Sequence, residues 1–218
     1  MKLKSIFSLL FLFTISATVF AQNKEHTLFA AAQSGDVDKI ETLLHKGVNP
    51  NSTDAAGNTP LHYAASTNQS EIIDALSKAG ASADKLNNSE NSALIIAAMH
   101  NHFDAVDALL SAGADPNILR SDHLSALHIA ALKGNFRSVI SLVAFGAEVN
   151  KQGKSGVTPL MMASVKGNVE VVNILLENGA QNMTDTSGAD TIEWAKKSGN
   201  QEVVDLILSY TAVSQNRN

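Results

Sequence analysis

A fixed period constrains this chain more than any other feature. The stretch Gly57-Asn58-Thr59-Pro60-Leu61-His62-Tyr63-Ala64-Ala65 returns as Ser92-Ala93-Leu94-Ile95-Ile96-Ala97-Ala98, Ser125-Ala126-Leu127-His128-Ile129-Ala130-Ala131 and Thr158-Pro159-Leu160-Met161-Met162-Ala163-Ser164, each copy 33 residues after the last. A second landmark keeps the same step: Leu43-Leu44…Gly47, Leu76…Gly80-Ala81, Leu109-Leu110…Gly113-Ala114, Leu142-Val143…Gly146-Ala147 and Leu175-Leu176…Gly179-Ala180. A period of this size means a stacked array in place of one closed core.

Each unit has a physical reading. Thr or Ser caps a helix by accepting a free first-turn N–H, and Pro behind it occupies the position that needs no donor. One Leu and two Ala give that helix a thin apolar face. A second helix follows, predicted over Glu71–Lys78, Phe103–Ser111, Phe136–Ala144 and Val169–Glu177 from apolar residues at helical spacing. Glycine ends it in the left-handed conformation, and an Asp/Asn-rich run such as Ala114-Asp115-Pro116-Asn117 suits the turn beyond.

The unit resembles the ankyrin repeat in length and in the pattern Thr59-Pro60-Leu61-His62-Tyr63-Ala64. The resemblance covers the chain in units at about 22–53, 54–86, 87–119, 120–152, 153–184 and 185–216, with a tail at 217–218 and a loose end from Ser214 onward. It implies an all-α repeat solenoid of six units, helix-turn-helix pairs joined by β-hairpin-like loops. The outer units depart from the pattern, as terminal repeats do. The first has His26-Thr27-Leu28-Phe29, with Leu28–Ala32 and Val37–His45 as its helices. The last has Asp190-Thr191-Ile192-Glu193-Trp194-Ala195 after a one-residue deletion, with Val203–Leu208 as its second helix. The third unit carries Glu90 where Gly is usual and Ile95 where His is usual.

Met1–Ala21 reads as a targeting segment. Lys2 and Lys4 precede the apolar run Ile6–Val19, and Val19-Phe20-Ala21 offers the small residues a signal peptidase reads. Cleavage before Gln22 is the expectation, with a retained anchor as the alternative; the run is short for a span of about 20 apolar residues. No cysteine follows, so a lipoprotein anchor is excluded, and the protein is expected to be exported to the periplasm or the medium. Cysteine is absent altogether, which removes disulfides, thiolate nucleophiles and zinc-thiolate sites. Taking Lys2 and Lys4 from the 16 basic residues leaves 14 against 21 acidic ones, a net charge of −7. Nucleic acid is therefore not an expected partner.

Chemistry finds little support. Gln152-Gly153-Lys154-Ser155 resembles the end of a phosphate-binding loop, but Glu148 stands where the first glycine is needed. His100 and His102, with His123, are a candidate metal set, read in preference as surface histidines at a helix–helix turn. The resemblance implies that His62 and His128 brace adjacent turns. Neither Gly-x-Ser-x-Gly nor His-Glu-x-x-His occurs, so no enzyme and no cofactor is expected. Four Asn-x-Ser/Thr sequons, at Asn51, Asn68, Asn87 and Asn182, matter only in a glycosylating pathway.

The resemblance further implies a concave groove lined by the loop tips and the exposed side of the first helices. Carried over by position, an apolar row runs Met99, Leu132, Val165, and beside it a basic row His100, Lys133, Lys166. Leu124 and Val157 join from the loop tips, with Asn88, Ser89, Asn91, Ser121, Asp122, Lys154 and Ser155. Trp194 shares the position of Tyr63, Ile96, Ile129 and Met162 and is read as packing. An apolar stripe with a charged rim has the composition of a protein-binding patch, and a basic row on an acidic protein favours an acidic segment of the partner. The expectation is a monomeric protein-binding module. Its alternative is an immunity-type or inhibitory protein that blocks an exported enzyme or toxin.

Overall fold

The structure, a computed structural model, describes residues 24–215, with side chains as far as 212. The targeting segment, its cleavage point before Gln22 and the tail at 217–218 lie outside the described residues. Helix α1 occupies 24–34. It is followed by α2 Val37–His45, α3 Pro60–Ser66, α4 Ser70–Lys78, α5 Ala93–His100, α6 Phe103–Ser111, α7 Ala126–Lys133, α8 Phe136–Ala144, α9 Pro159–Val165, α10 Val169–Glu177, α11 Thr191–Ser198 and α12 Gln201–Gln215. No strand forms among the described residues; the loops contribute one isolated antiparallel bridge, Thr184 with Asp190.

The first helix of each pair packs on the first helix of the next, α3 to α5 to α7 to α9 to α11, and the second helices pack likewise from α2 to α12. This is an all-α repeat solenoid in two layers. The alanine pairs make the close approach feasible: Ala64 and Ala65, Ala97 and Ala98, Ala130 and Ala131 are all fully buried. Between the layers Leu76, Leu109, Leu142 and Leu175 are likewise fully buried. Each contributes roughly 1.5–3 kcal/mol of burial before entropy is charged.

Capping follows the pattern read from sequence. Ser92 accepts from the N–H of Ile95, Thr158 from Met161 and Asp190 from Glu193. Pro60 and Pro159 open their helices. Glycines 47, 80, 113, 146 and 179 all take φ between 76° and 91° after the second helices, and the next N–H turns back, as when Ala114 donates to Leu109.

Glu90 does not disturb its loop. It adopts φ +60°, the Asn87 N–H donates to the Asn91 carbonyl at 3.0 Å, and the turn closes as it does around Gly57. The last helix differs from its sequence reading in length. It starts at Gln201 and runs unbroken through Ser214 to Gln215, because no glycine follows Leu208 to stop it.

Asparagine ladders tie neighbouring units together. Asn51 donates to the Gly80 carbonyl and accepts from the Ser82 N–H; Asn117 does the same with Gly146 and Glu148, and Asn150 with Gly179 and Gln181. A second ladder runs from the start of each second helix: His102 Nδ1 meets the Ala65 carbonyl at 3.0 Å, Asn135 donates to Ala98 at 2.7 Å, and Asn168 to Ala131 at 3.4 Å. All four sequon asparagines are engaged this way or locally: Asn51 with Gly80, Asn68 with Asp104, Asn87 with Asn58, and Asn182 with Asp190.

Candidate functional site

Two recesses open among the described residues on the face shared by the loop tips and the first helices. The first recess, of about 280 Å³, is lined by Asn58, His62, Tyr63, Ser66, Asn91, Ile96, Met99 and His100. The second, of about 360 Å³, is lined by Leu132, Lys133, Lys166 and Asn168. Five of the eight residues read from sequence as a binding row therefore come together here: Met99 and His100 in one recess, Leu132, Lys133 and Lys166 in the other. Val165 is half-buried on the turn before Lys166.

Two of the eight do not belong to that row. Val157 is only 9 % exposed, and its carbonyl accepts a hydrogen bond from His128 Nε2. Its side chain therefore offers no surface to a partner. Leu124 is half-buried against the core. Its Cδ2 lies where a Cβ on Gly153 would come within 2.8 Å, so it packs on the next loop. The reason is local. Leu124 and Val157 each sit just before the residue that caps a first helix, where the chain turns inward to deliver the cap.

Electrostatics divide the face. Lys133 and Lys166 are exposed at the end of α7 and just after α9; the salt bridges among the described residues are Arg120–Asp122 and Lys151–Glu148, so neither ammonium has a carboxylate partner there. Lysine suits the last turn of a helix, where the free carbonyls carry partial negative charge. At the other end of the face, Tyr63 donates to Asp54 Oδ2 at 2.8 Å. Burial pulls the Asp54 carboxyl upward, but bonds from Tyr63 and Asn58 outweigh it and hold the carboxyl below its ordinary range. That same bond raises the Tyr63 phenol.

Trp194 repeats the arrangement of Tyr63: its Nε1 donates to Asp185 Oδ2 at 2.9 Å, nine residues back, as Tyr63 does to Asp54. The Lys197 ammonium lies 4.8 Å from the indole centroid. Tyr63 and Ile96 line the first recess, and Trp194 and Met162, at the equivalent position in their units, are likewise half-exposed. Sequence reasoning missed this row. The repeated spacing of Asp and aromatic, Asp54…Tyr63 and Asp185…Trp194, was the available signal.

The histidines divide by role. His62 Nδ1 accepts from the Thr59 N–H at 3.0 Å and Nε2 donates to the Asn91 carbonyl at 2.9 Å, which braces one unit to the next. His102 is a rung of the ladder to Ala65 and stacks on His100 with ring centroids 5.6 Å apart. His123 stands on a loop tip at φ +62°. Among the described residues no three His, Asp or Glu side chains come together as metal ligands. No helix among them is long and apolar enough to cross a membrane.

The family model described as ankyrin repeats (three copies) matches residues 28–120 and again 125–218. Over 37 residues, 17% of this chain, the sequence is 54% identical to a fowlpox virus (strain NVSL) protein whose name carries the words ankyrin repeat. The match spans 26% of that protein's length.

Proposed function

The chain belongs to the ankyrin repeat family, and we propose that it is an exported, monomeric, non-catalytic module whose recessed face binds a protein partner through an acidic segment. Ankyrin repeats are in general protein–protein interaction modules. Fold alone does not assign function, so the reading rests on one site: half-buried Leu132 in a single recess with Asn168 and with Lys133 and Lys166, neither of which has a carboxylate partner among the described residues. A partner side chain that is apolar at its stem and anionic at its tip fits that set. Opposite charges on the partner would speed encounter and set register more than they add affinity.

Export rests on Lys2, Lys4 and the apolar run to Val19. N-terminal sequencing of the protein recovered from its own cells should begin at Gln22; a chain beginning at Met1 rejects cleavage.

The binding reading is tested with protein from Gln22 onward as bait. Partners captured by the native face are identified by mass spectrometry, and capture is repeated with Leu132→Asp combined with Lys133→Glu. The variant should lose the partner while its thermal unfolding stays close to the original, because both side chains lie outside the buried core. Undiminished capture sinks the proposal.

A further inference from the structure

Successive loop tips are bonded backbone to backbone. The Asn88 N–H donates to the Ala56 carbonyl at 2.9 Å, Lys154 to Asp122 at 3.0 Å and Thr186 to Ser155 at 3.0 Å. One junction lacks this bond. By register the Ser121 N–H should meet the Ser89 carbonyl; it donates to Glu90 Oε2 instead, at 2.9 Å, on an exposed side chain.

The same junction has lost its other tip-side ties. The histidine brace made by His62 and by His128 is absent, since Ile95 holds that position. Met161 also replaces a bracing histidine, but there Thr186 still bonds the Ser155 carbonyl through both its N–H and its hydroxyl. One unit earlier, Asn87 donates to Asn58 at 2.7 Å. Their counterparts here are Arg120 and Asn91, and both Arg120 Nε and Asn91 Oδ1 are buried without a hydrogen-bond partner. The two flanking turns carry non-glycine residues in the left-handed region, Glu90 at φ +60° and His123 at +62°. Left-handed backbone is strained for residues with a side chain. Gly57, Gly156 and Gly188 fill the equivalent place elsewhere.

The helix side of this junction is fully bonded. Asn135 reaches the Ala98 carbonyl at 2.7 Å, and Asn117 both donates to Gly146 and accepts from Glu148. The joint is thus bonded at its back by two asparagines and held at its front by one exposed side chain.

We propose that the array is hinged between residues 119 and 120, with the helix-side asparagines as the pivot and the Glu90–Ser121 contact as a latch between the tips. Tyr63, Ile96 and Met99 ride on one block; Leu132, Lys133 and Lys166 ride on the other. Swinging the blocks changes the distance between the two recesses, so the face can adjust its span to what it binds. Neighbouring junctions, with their braces intact, stay rigid. The inference does not depend on which partner the face takes.

The native chain has no cysteine, so nitroxide labels at Ser89→Cys and Ser155→Cys report the tip separation across this junction by pulsed electron paramagnetic resonance. The expected distribution is broad. Glu90→Gly with Ile95→His gives the junction the turn glycine and brace found at Gly57 and His62, and should reduce the width at least twofold. Glu90→Ala removes the latch and should broaden the distribution; Glu90 is exposed, so this arm reads the hinge even where the buried change at Ile95 perturbs folding. A native distribution as narrow as that of the braced variant overturns the hinge, and so does a Glu90→Ala distribution no wider than the native one.

Discussion

His128 Nε2 lies 3.2 Å from the carbonyl oxygen of Val157, in the following unit, and 3.1 Å from that of Lys151. Its Nδ1 accepts the Ser125 N–H at 3.1 Å. Accepting at one nitrogen and donating at the other requires the neutral ring. Burial pushes its pKa down to about 4 from an ordinary 6.5, against the opposing pull of the Val157 and Lys151 carbonyls.

Stability should therefore fall with acidification. Because the folded pKa lies below the unfolded one, the unfolded chain takes up the proton first. The contribution is complete above about pH 6.5 and is lost progressively as the pH falls to about 4. A gap from 6.5 to about 4, at about 1.36 kcal/mol per unit, is on the order of 3 kcal/mol. His62 is shifted in the same direction, chiefly by burial, and adds to the loss. Denaturant midpoints between pH 7 and 4.5 should slope accordingly, and His128→Gln should flatten the slope; equal slopes in the two proteins would reject this account.

Asn91 and Arg120 hold a position pair that bonds one unit earlier as Asn58 and Asn87. Arg120→Asn should supply the missing donor and raise stability by about 0.5–1.5 kcal/mol, read as a higher melting temperature. The Arg120–Asp122 pair that is lost is half-exposed and 3.5 Å long, and such pairs contribute little.

Asp84 occupies the ladder position of Asn51, Asn117 and Asn150. Its carboxylate accepts the Asp115 N–H at 3.0 Å but has nothing to donate to the Gly113 carbonyl. Asp84→Asn should complete the rung and gain about 0.5–1.5 kcal/mol. Equilibrium unfolding in urea is the check, with Asn117→Asp as the mirror experiment losing a similar amount.

Two glycines at similar φ should differ in their tolerance of alanine. A Cβ at Gly146, φ +89°, meets nothing within 4 Å, so Gly146→Ala should cost only backbone strain, about 1–2 kcal/mol. A Cβ at Gly156 would stand 2.8 Å from the Thr186 nitrogen and 2.9 Å from Asp185 Cα. Backbone cannot give way as a side chain can, so Gly156→Ala should cost about 1–3 kcal/mol more. The difference in melting temperature between the two variants measures it.

The frame of the molecule was legible because every unit repeats the same physical signals in step. Capping residue, alanine pair, leucine and glycine recur together, so α6, α8 and α10 begin and end where the sequence placed them. The binding face was only partly legible. Val157 and Leu124 differ from their neighbours on the loop tips only in which way the chain turns, and periodicity does not encode that. Trp194 reads as packing because half-burial on a shared wall looks the same in sequence as burial between helices. His102 reads in sequence as a surface histidine beside His100, whereas in the fold its ring does what Asn135 and Asn168 do. Glu90 and Ile95 stood out as departures one by one; that both fall on a single junction, together with Arg120, is a fact of three dimensions.

Each clamp made by Asn51, Asn117 and Asn150 reaches forward by the same number of residues to the same pair of groups in the following unit. A stretch cut from one of these asparagines to its counterpart would leave ends that already fit, and a copied stretch would arrive with its fastenings in place. Length in such a chain is inherited in whole steps, since these clamps carry over with each step gained or lost.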